Sequence, residues 1–401
     1  MRVSGHFYKG TYSNTFHFYA ERVKLAGMER EIEELLTRGV EGVYPNKSTL
    51  AKVLGSGKKI RLYYGIDPTG STLHLGHLVQ LLKLKKFQDL GHEVIILIGD
   101  FTAQVGDPTG KQLARQQLTL KQVLENSKKY KKQIGSILDL KKSNIRFVHN
   151  EKWTNKLTPV DMLELASHFT VSNLLTRDMF QERIKAGREV YVHEFLYPIF
   201  QAYDAVTMDV DLEIGGNDQM FNMLAGRDLM KRKKHKEMFV LTTKLLIDPT
   251  GKKMGKTETN MIALNDSAND MFGKIMNWSD GMISMGFELC TNLDSNDFLQ
   301  EKPRDQKIKL AYEIIKVCRG EKAAQTAQEN FIETFSKGGV PKDIETVREK
   351  KNIPLVEIFL KHGLISSKSE FNRLNKEGAI KEIEKGVYRI GKHRFIKLEN
   401  I

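Results

Sequence analysis

Two histidines set three residues apart, His74 and His77, stand in the segment Asp67-Pro68-Thr69-Gly70-Ser71-Thr72-Leu73-His74-Leu75-Gly76-His77. On the first turn of a helix that spacing puts both imidazoles on one face. Such a pair can donate hydrogen bonds to a phosphate as its charge shifts during displacement. The helix N-terminus adds unpaired N–H groups and a positive dipole end. Gly76 between them has no side chain, so a flat base can rest on backbone there. The same histidines could instead cap the helix or bind a metal, and several nucleotidyltransferases would fit the pair. Downstream, Gly251-Lys252-Lys253-Met254-Gly255-Lys256-Thr257 sets lysines around glycines in a loop able to close over a triphosphate. Alone, a lysine-rich loop is usually only solvated; together with the histidine pair it points to ATP chemistry. Third, Tyr197, Gln201 and Asp204 share one helical face. That face could be a satisfied core network. An aspartate beside Phe200 and Ala202 is costly to bury without a partner, however, which favours a ligand.

Strand ends and helix starts must hold such groups in place. Arg61–Asp67 is an apolar and aromatic run short enough to be a buried strand, and Pro68, Thr69 and Gly70 form a loop. The spacing of Leu75, Leu78, Leu81, Leu82 and Leu84 predicts a helix ending at Gly91. Glu93–Gly99, almost wholly Val, Ile and Leu, predicts a second strand. Strand, helix and apolar strand make a parallel βαβ unit buried on both faces. A helix around Leu118–Leu138, a strand at Ile145–Val148, helices to about Ala202 and a strand into Ile214 continue it into a doubly wound parallel-sheet α/β domain. Ligands of such sheets bind at strand carboxyl ends. Upstream, a charged helix begins at Met28, Gly39 and Pro45 break the pattern, and a short helix runs to Gly57. Asp100 reads as a cap after the second strand, and Trp153 and Trp278 read as core. From Ser267 to about Phe335 helical periodicity takes over, residues 338–350 read as a linker, and a compact unit closes the chain.

The chain has 401 residues, a formal charge of +13 and a pI near 9.4. That length favours two or three domains, and the charge suits a polyanionic partner as readily as simple solubility. Between Lys351 and Ile401, eleven Lys/Arg face six Asp/Glu, so part of the surplus sits in the last unit. Two cysteines, Cys290 and Cys318, exclude a disulfide framework and suit a reducing, cytoplasmic setting. No apolar run reaches transmembrane length. Residues 1–27 are rich in aromatics with Glu21 as the sole acid, yet lack a continuous apolar stretch. They are read as an extension, either disordered or produced by an over-long start ahead of Met28.

His74-Leu75-Gly76-His77 followed by Lys253-Met254-Gly255-Lys256-Thr257 resembles the two signature motifs of the class I aminoacyl-tRNA synthetases. Across nearly all of Met28–Ile401 the chain is similar to the tyrosyl branch. Tyr63–Thr69 resembles its first tyrosine-binding strand, Gly106-Asp107-Pro108-Thr109-Gly110-Lys111 its GDPSGK loop, Tyr197–Asp204 its YxxxQAYD helix, and Gly215–Gln219 its GGxDQ turn. The resemblance implies that Asp204 and Tyr63 bind a phenol hydroxyl, with Asn150 near the same floor. It implies that Asp107, Tyr197 and Gln201 hold the substrate ammonium and that Gln219 lies near its carboxylate. Thr69, His74, His77, Lys253, Lys256, Lys111 and Arg115 would handle the phosphates, while Asp67, Gly76, Asp218, Gly216, Met254 and Thr257 would contact the rest of ATP, Asp218 at the ribose.

The implied reaction is tyrosine activation by Mg²⁺-ATP followed by transfer to tRNA(Tyr), with ATP as substrate and no tightly bound, protein-ligated metal. A homodimer is also implied, with no membrane partner. Pro354–Ile380 resembles an S4 RNA-binding domain whose second helix would offer Lys368, Arg373 and Lys376 to a phosphate backbone, although Asn372 replaces a usual arginine. The basic run Lys231–Lys236 reads at least as well as a solvated helix end. The expected organisation is a Rossmann-like catalytic domain over 28–265, an all-α domain over 266–337, the linker, and a small α+β S4-like domain over 351–401. Glu213 departs from the pattern, standing where many tyrosyl enzymes carry glutamine. Rival readings are a tryptophanyl enzyme, another adenylate-forming nucleotidyltransferase, and a non-catalytic RNA-binding protein on a decayed scaffold.

Overall fold

The computed structural model describes residues 26–109, 117–251, 253–254, 261–336, 344, 346–349, 353–391 and 394–400. Most of the 1–27 extension, together with Lys111, Arg115, Lys256 and Thr257, lies outside the described residues. Contacts divide the chain into two units, one holding the residues up to Asn265 plus Ser284–Asp297, the other Asp266–Ile283 plus Phe298–Ile401.

The first unit is built on a six-stranded sheet of order β1-β6-β5-β2-β3-β4. Its strands are β1 (Val40–Tyr44), β2 (Arg61–Ile66), β3 (Glu93–Ile98), β4 (Ile145–His149), β5 (Leu212–Gly216) and β6 (Phe239–Thr243). All neighbours run parallel except β1, which pairs antiparallel with β6. The central β3 and β5 are buried on both faces, and β3 is almost wholly Val, Ile and Leu, because helices cover both sides. The doubly wound expectation therefore holds. Two strands escaped the sequence reading. β1 is a half-exposed edge lying between the glycine and the proline that mask it, and β6 is too short for periodicity to distinguish from a helical segment. The expected helix over 118–138 is two, Leu120–Ser127 and Tyr130–Ile134.

Ser284–Asp297, expected among the following helices, belongs with the sheet unit instead. The Arg38 guanidinium fastens it, donating to the carbonyls of Phe287 at 2.7 Å, Glu288 at 3.1 Å, Thr291 at 3.2 Å and Leu293. Gly39 N–H and Lys244 both reach the Glu288 carboxylate. One arginine gathering the free carbonyls of a helix end leaves no trace in hydrophobic periodicity.

In the second unit Ala268–Met276, Pro303–Arg319 and Glu321–Ser336 are amphipathic helices burying Phe272, Ile314, Ile315 and Cys318. The unit also contains a four-stranded sheet of order β7-β10-β9-β8: β7 (Thr346–Glu349), β8 (Ile380–Glu384), β9 (Val387–Ile390) and β10 (Arg394–Asn400). Short helices Leu355–Lys361 and Lys368–Lys376 share its core around Phe359, Ile390 and Ile396. Residues 346–349, assigned to the linker from sequence, are thus an edge strand running parallel to β10. Alternation of buried Val347 and Glu349 with exposed Thr346 and Arg348 was hidden because the inward Glu349 is itself charged, paired with Lys361 and His362. Both cysteines are buried free thiols, and no described helix is long and apolar enough to cross a membrane.

Candidate active site

A cavity of about 750 Å³ opens at the carboxyl ends of β2, β3 and β5. Its walls include Tyr63, Asp67, Thr69, His74, Gly76, His77, Asp107, Tyr197, Gln201, Asp204, Gly216, Asp218, Gln219, Lys253 and Met254. Motif positions scattered along the sequence thus converge on one space large enough to enclose a small ligand. Residues three strands apart meet because each parallel strand ends at the same edge of the sheet.

The floor lies between β2, β4, β5 and the long helix Val192–Met208. Asp204 is 1 % exposed and accepts from Asn150 Nδ2 at 3.0 Å and Trp153 Nε1 at 2.7 Å. Burial pushes its carboxyl up to about 8, and the two donors act against that rise. Asn150 is itself locked, accepting from Phe101 N–H at 2.9 Å and donating to Thr102 Oγ1 at 3.1 Å. It stands behind Asp204 and supports it. Trp153, read from sequence as core, packs against the core and also holds Asp204. The only trace in sequence is that Asn150 and Trp153 lie three apart just past the end of a strand, which does not point to Asp204. Asp100, expected to cap the segment after the second strand, caps this turn after β4 instead, accepting from Glu151 N–H at 3.0 Å and meeting His149 Nδ1 at 2.7 Å.

Across the floor the Tyr63 hydroxyl is buried against the Glu213 carboxylate. Burial first, and then the neighbouring Glu213 carboxylate, hold its pKa well above the ordinary phenol range. Higher in the cavity, Asp107 accepts from Thr109 N–H at 3.0 Å and from Gln219 Nε2 at 2.7 Å, which brings two residues assigned to opposite ends of an amino acid's backbone into contact. Arg177 Nη2 donates to Thr109 Oγ1 at 2.6 Å, a brace that sequence reasoning missed. The Tyr197 hydroxyl donates to Asp67 Oδ2 at 2.9 Å, and Thr102 Oγ1 to Asp67 Oδ1 at 2.7 Å. Gly99 makes that possible, because a Cβ there would sit 2.1 Å from Asp67 Oδ1.

At the mouth, His74 is the N-cap of helix Leu75–Asp89, and the two rings lie 4.1 Å apart by centroid. His74 Nδ1 accepts from Gly76 N–H at 3.1 Å, and His77 Nδ1 accepts from His74 N–H at 3.2 Å. The capping alternative is therefore realised, and it serves the other reading too: a neutral ring that accepts at Nδ1 carries its proton on Nε2. A Cβ at Gly76 would come within 2.8 Å of the His74 ring, so glycine is required by the histidine as well as leaving the backbone bare. The segment after the lysine loop is stitched to this turn, Leu75 N–H donating to Ile262 O at 3.0 Å and Leu264 N–H to Leu73 O at 2.8 Å. Within the loop, Met254 N–H donates to Leu246 O at 2.8 Å. Lys253 Nζ pairs with Asp218. A Cβ on Gly216 would lie 2.6 Å from Asp218 Oδ1, which explains the glycine. The arrangement offers an acceptor–hydroxyl floor, an acidic middle, and a mouth of imidazole N–H groups, a helix N-terminus and a lysine.

Comparisons with known proteins match this geometry. The family model for tRNA synthetases class I (W and Y) matches residues 56–336. A tyrosine–tRNA ligase of Francisella tularensis subsp. tularensis is 39% identical over 392 residues, covering 92% of this chain and 98% of that one. One from Idiomarina loihiensis is 40% identical over 400 residues, covering 92% and 99%. Among solved structures, a C-terminally truncated mitochondrial tyrosyl-tRNA synthetase of Coccidioides posadasii superposes with a TM-score of 0.62 at 21% identity, over 79% of this chain and 98% of that chain. The Archaeoglobus fulgidus tyrosyl-tRNA synthetase complexed with L-tyrosine gives 0.59 at 21%, over 75% and 99%. At that identity the structures speak for the fold, while the model and the sequence relatives fix the family: the chain belongs to the class I tRNA synthetases of the tryptophanyl and tyrosyl group.

Proposed function

We propose that this chain is a tyrosine–tRNA ligase, joining L-tyrosine to ATP as tyrosyl-adenylate with release of pyrophosphate, then passing tyrosine to the 3′ end of tRNA(Tyr). The observation that carries the choice of amino acid is the floor, where the buried Asp204 carboxylate and the buried Tyr63 hydroxyl face one cavity. A substrate phenol both donates, to Asp204, and accepts, from Tyr63; an indole N–H can only donate and a phenyl ring does neither. Asp107, Tyr197 and Gln201 then lie where acceptors suit an ammonium, with Gln219 near the carboxylate. The carboxylate oxygen attacks the α-phosphorus, the bond to the bridging oxygen of pyrophosphate breaks, and Mg²⁺ enters with the triphosphate. His74, His77 and Lys253 stabilise the charge that moves onto the phosphates, Lys256, Lys111 and Arg115 adding to them. The work is positioning and charge stabilisation, and no protein base is required. Tyrosine-dependent ATP–pyrophosphate exchange tests this reading: tyrosine should support exchange and tryptophan or phenylalanine scarcely any. Silence with all three would refute it.

The tRNA is assigned to the last domain, where Lys368, Arg373 and Lys376 are exposed on helix Lys368–Lys376 and Arg373 also meets Glu377. Replacing all three by alanine should weaken tRNA binding and lower the salt slope by about one for each phosphate that is no longer neutralised, leaving exchange unchanged. Equal loss of exchange would show that the residues act on folding. A cytoplasmic setting accords with two buried thiols.

A homodimer accords with exposed apolar residues on the sheet unit. Val160, Leu163, Val171 and Val192 are 70–77% exposed on short helices and the start of Val192–Met208. Single apolar residues at a surface are ordinary, but four this exposed within residues 160–192 are natural candidates for a partner face. Val192→Asp should raise the dimer dissociation constant at least roughly 100-fold, because the carboxylate would be buried unpaired. Sedimentation equilibrium reads this directly, and an unchanged mass would remove Val192 from the interface.

A further inference from the structure

Glu213 is the acid that the reaction above leaves unused, and it sits inside the amino-acid site. It lies on β5 directly opposite Tyr63 of β2 in the parallel register, so the two side chains share a face. Only 2 % of it is exposed, yet it lines the cavity. Its Oε1 accepts from Gln201 Nε2 at 2.9 Å, and its carboxylate also meets the Tyr63 hydroxyl. Room for the carboxylate is left by Gly226 on helix Met220–Lys234, where a Cβ would stand 3.3 Å from Oε2.

We infer that Glu213 is a positioning residue that fixes the amide of Gln201, turning its carbonyl oxygen toward the substrate ammonium. A glutamine amide is nearly symmetric in shape, and only its neighbours decide which end faces a ligand. An ionised carboxylate accepts and cannot donate, so against Glu213 the amide must present its NH2. The carbonyl oxygen then has to face the other way. Flipped, the amide would set an N–H donor against an ammonium and leave a carbonyl facing a carboxylate, two losses from one rotation. The arriving ammonium also favours the ionised form of Glu213, whose carboxyl burial raises to about 7, so substrate and Glu213 reinforce one orientation.

The inference rests on the assignment of Gln201 to the ammonium, and the test separates the two. Competitive inhibition of tyrosine-dependent exchange by tyramine, which keeps the amine, and by 3-(4-hydroxyphenyl)propionate, which lacks it, reports on each end of the site. Glu213→Leu should raise the tyrosine KM and the tyramine Ki by roughly tenfold, the loss expected from one misdirected hydrogen bond, with kcat and the propionate Ki within about twofold. Glu213→Gln, which can still present a carbonyl oxygen to Gln201, should restore tyramine inhibition to within about threefold. If the leucine variant fails to fold, Glu213→Met fills a similar volume with a flexible chain and is read in the same assay. Equal weakening of both inhibitors, or of neither, by Glu213→Leu or Glu213→Met overturns the role of Glu213. If Gln201→Ala itself shows no selective loss toward the amine, the assignment of Gln201 fails instead.

Discussion

Replacing Asp204 by asparagine should raise the tyrosine KM about 10- to 100-fold and abolish most of the preference for tyrosine over phenylalanine. The floor dictates the size. Both oxygens of Asp204 already accept, from Asn150 Nδ2 and Trp153 Nε1, and an indole nitrogen can do nothing but donate. An asparagine must turn its own NH2 toward one of these donors or toward the substrate hydroxyl. Each choice leaves a buried polar group unmatched, at a cost of about 1–3 kcal/mol. Phenylalanine makes no hydrogen bond at the floor and so should lose little, which is why the ratio falls. The pH dependence sharpens the test. A substrate hydroxyl donates to the ionised carboxylate, and that form is populated only as pH climbs toward about 8. Tyrosine affinity of the unaltered protein should therefore strengthen from pH 6 to pH 8, by no more than about tenfold per unit, and the variant should show a flatter profile. Stability moves oppositely. The folded carboxyl titrates above its unfolded value, so the folded state holds the extra proton between about pH 4 and 8 and this group's contribution to stability is lost as pH rises. The melting temperature of Asp204→Asn, relative to that of the unaltered protein, should accordingly improve from pH 5 to pH 8. A tyrosine KM within twofold of the original would remove Asp204 from the specificity site.

Lys253→Ala should lower kcat for exchange by about 100- to 1,000-fold while changing the tyrosine KM by less than about threefold. Its ammonium reaches Asp218 beside the helix start at Met220, at the opposite end of the cavity from Asp204, so the tyrosine floor is untouched. What disappears is a cation placed where pyrophosphate takes up charge. The backbone should survive the change, since Met254 is buried and its N–H is held by Leu246. A tyrosine KM rising in step with the fall in kcat would mean that Lys253 shapes the amino-acid pocket rather than the phosphate step.

The parts of this design that were legible in sequence are those with a local signature. β2, helix Leu75–Asp89 and β3 announce themselves through leucine spacing and an unbroken aliphatic run, and the HLGH turn falls where a strand hands over to a helix. The wall residues Asp107, Gln201 and Asp218 are found because motif resemblance carries them. What stayed hidden depends on long-range pairing. Trp153 looks like any core tryptophan until the structure brings Asp204 to its indole nitrogen. Arg177 belongs to no motif, yet it lies over the ring of Phe221 with one arm on Thr109. β7 has four residues, two of them charged, and exists only because β10 offers it an edge. Glu213 is visible as an odd letter in a turn motif; that it answers to Gln201 is a fact of the β2–β5 register and helix Val192–Met208 together.

The two backbone bonds joining Leu73 and Leu75 to Ile262 and Leu264 have an evolutionary corollary. They join the HLGH turn to the segment that follows the lysine loop, main chain to main chain. The surface helices between them in the sequence are therefore contour length rather than ruler. Helices such as Pro159–Ser167 could be lengthened, shortened or exchanged by descent, and the HLGH turn and the segment leaving the lysine loop would still be clasped in register. A lineage can thus rewrite its outer surface, including whatever faces a second subunit or a nucleic acid, while the segment leaving the lysine loop stays where the clasp holds it against the HLGH turn.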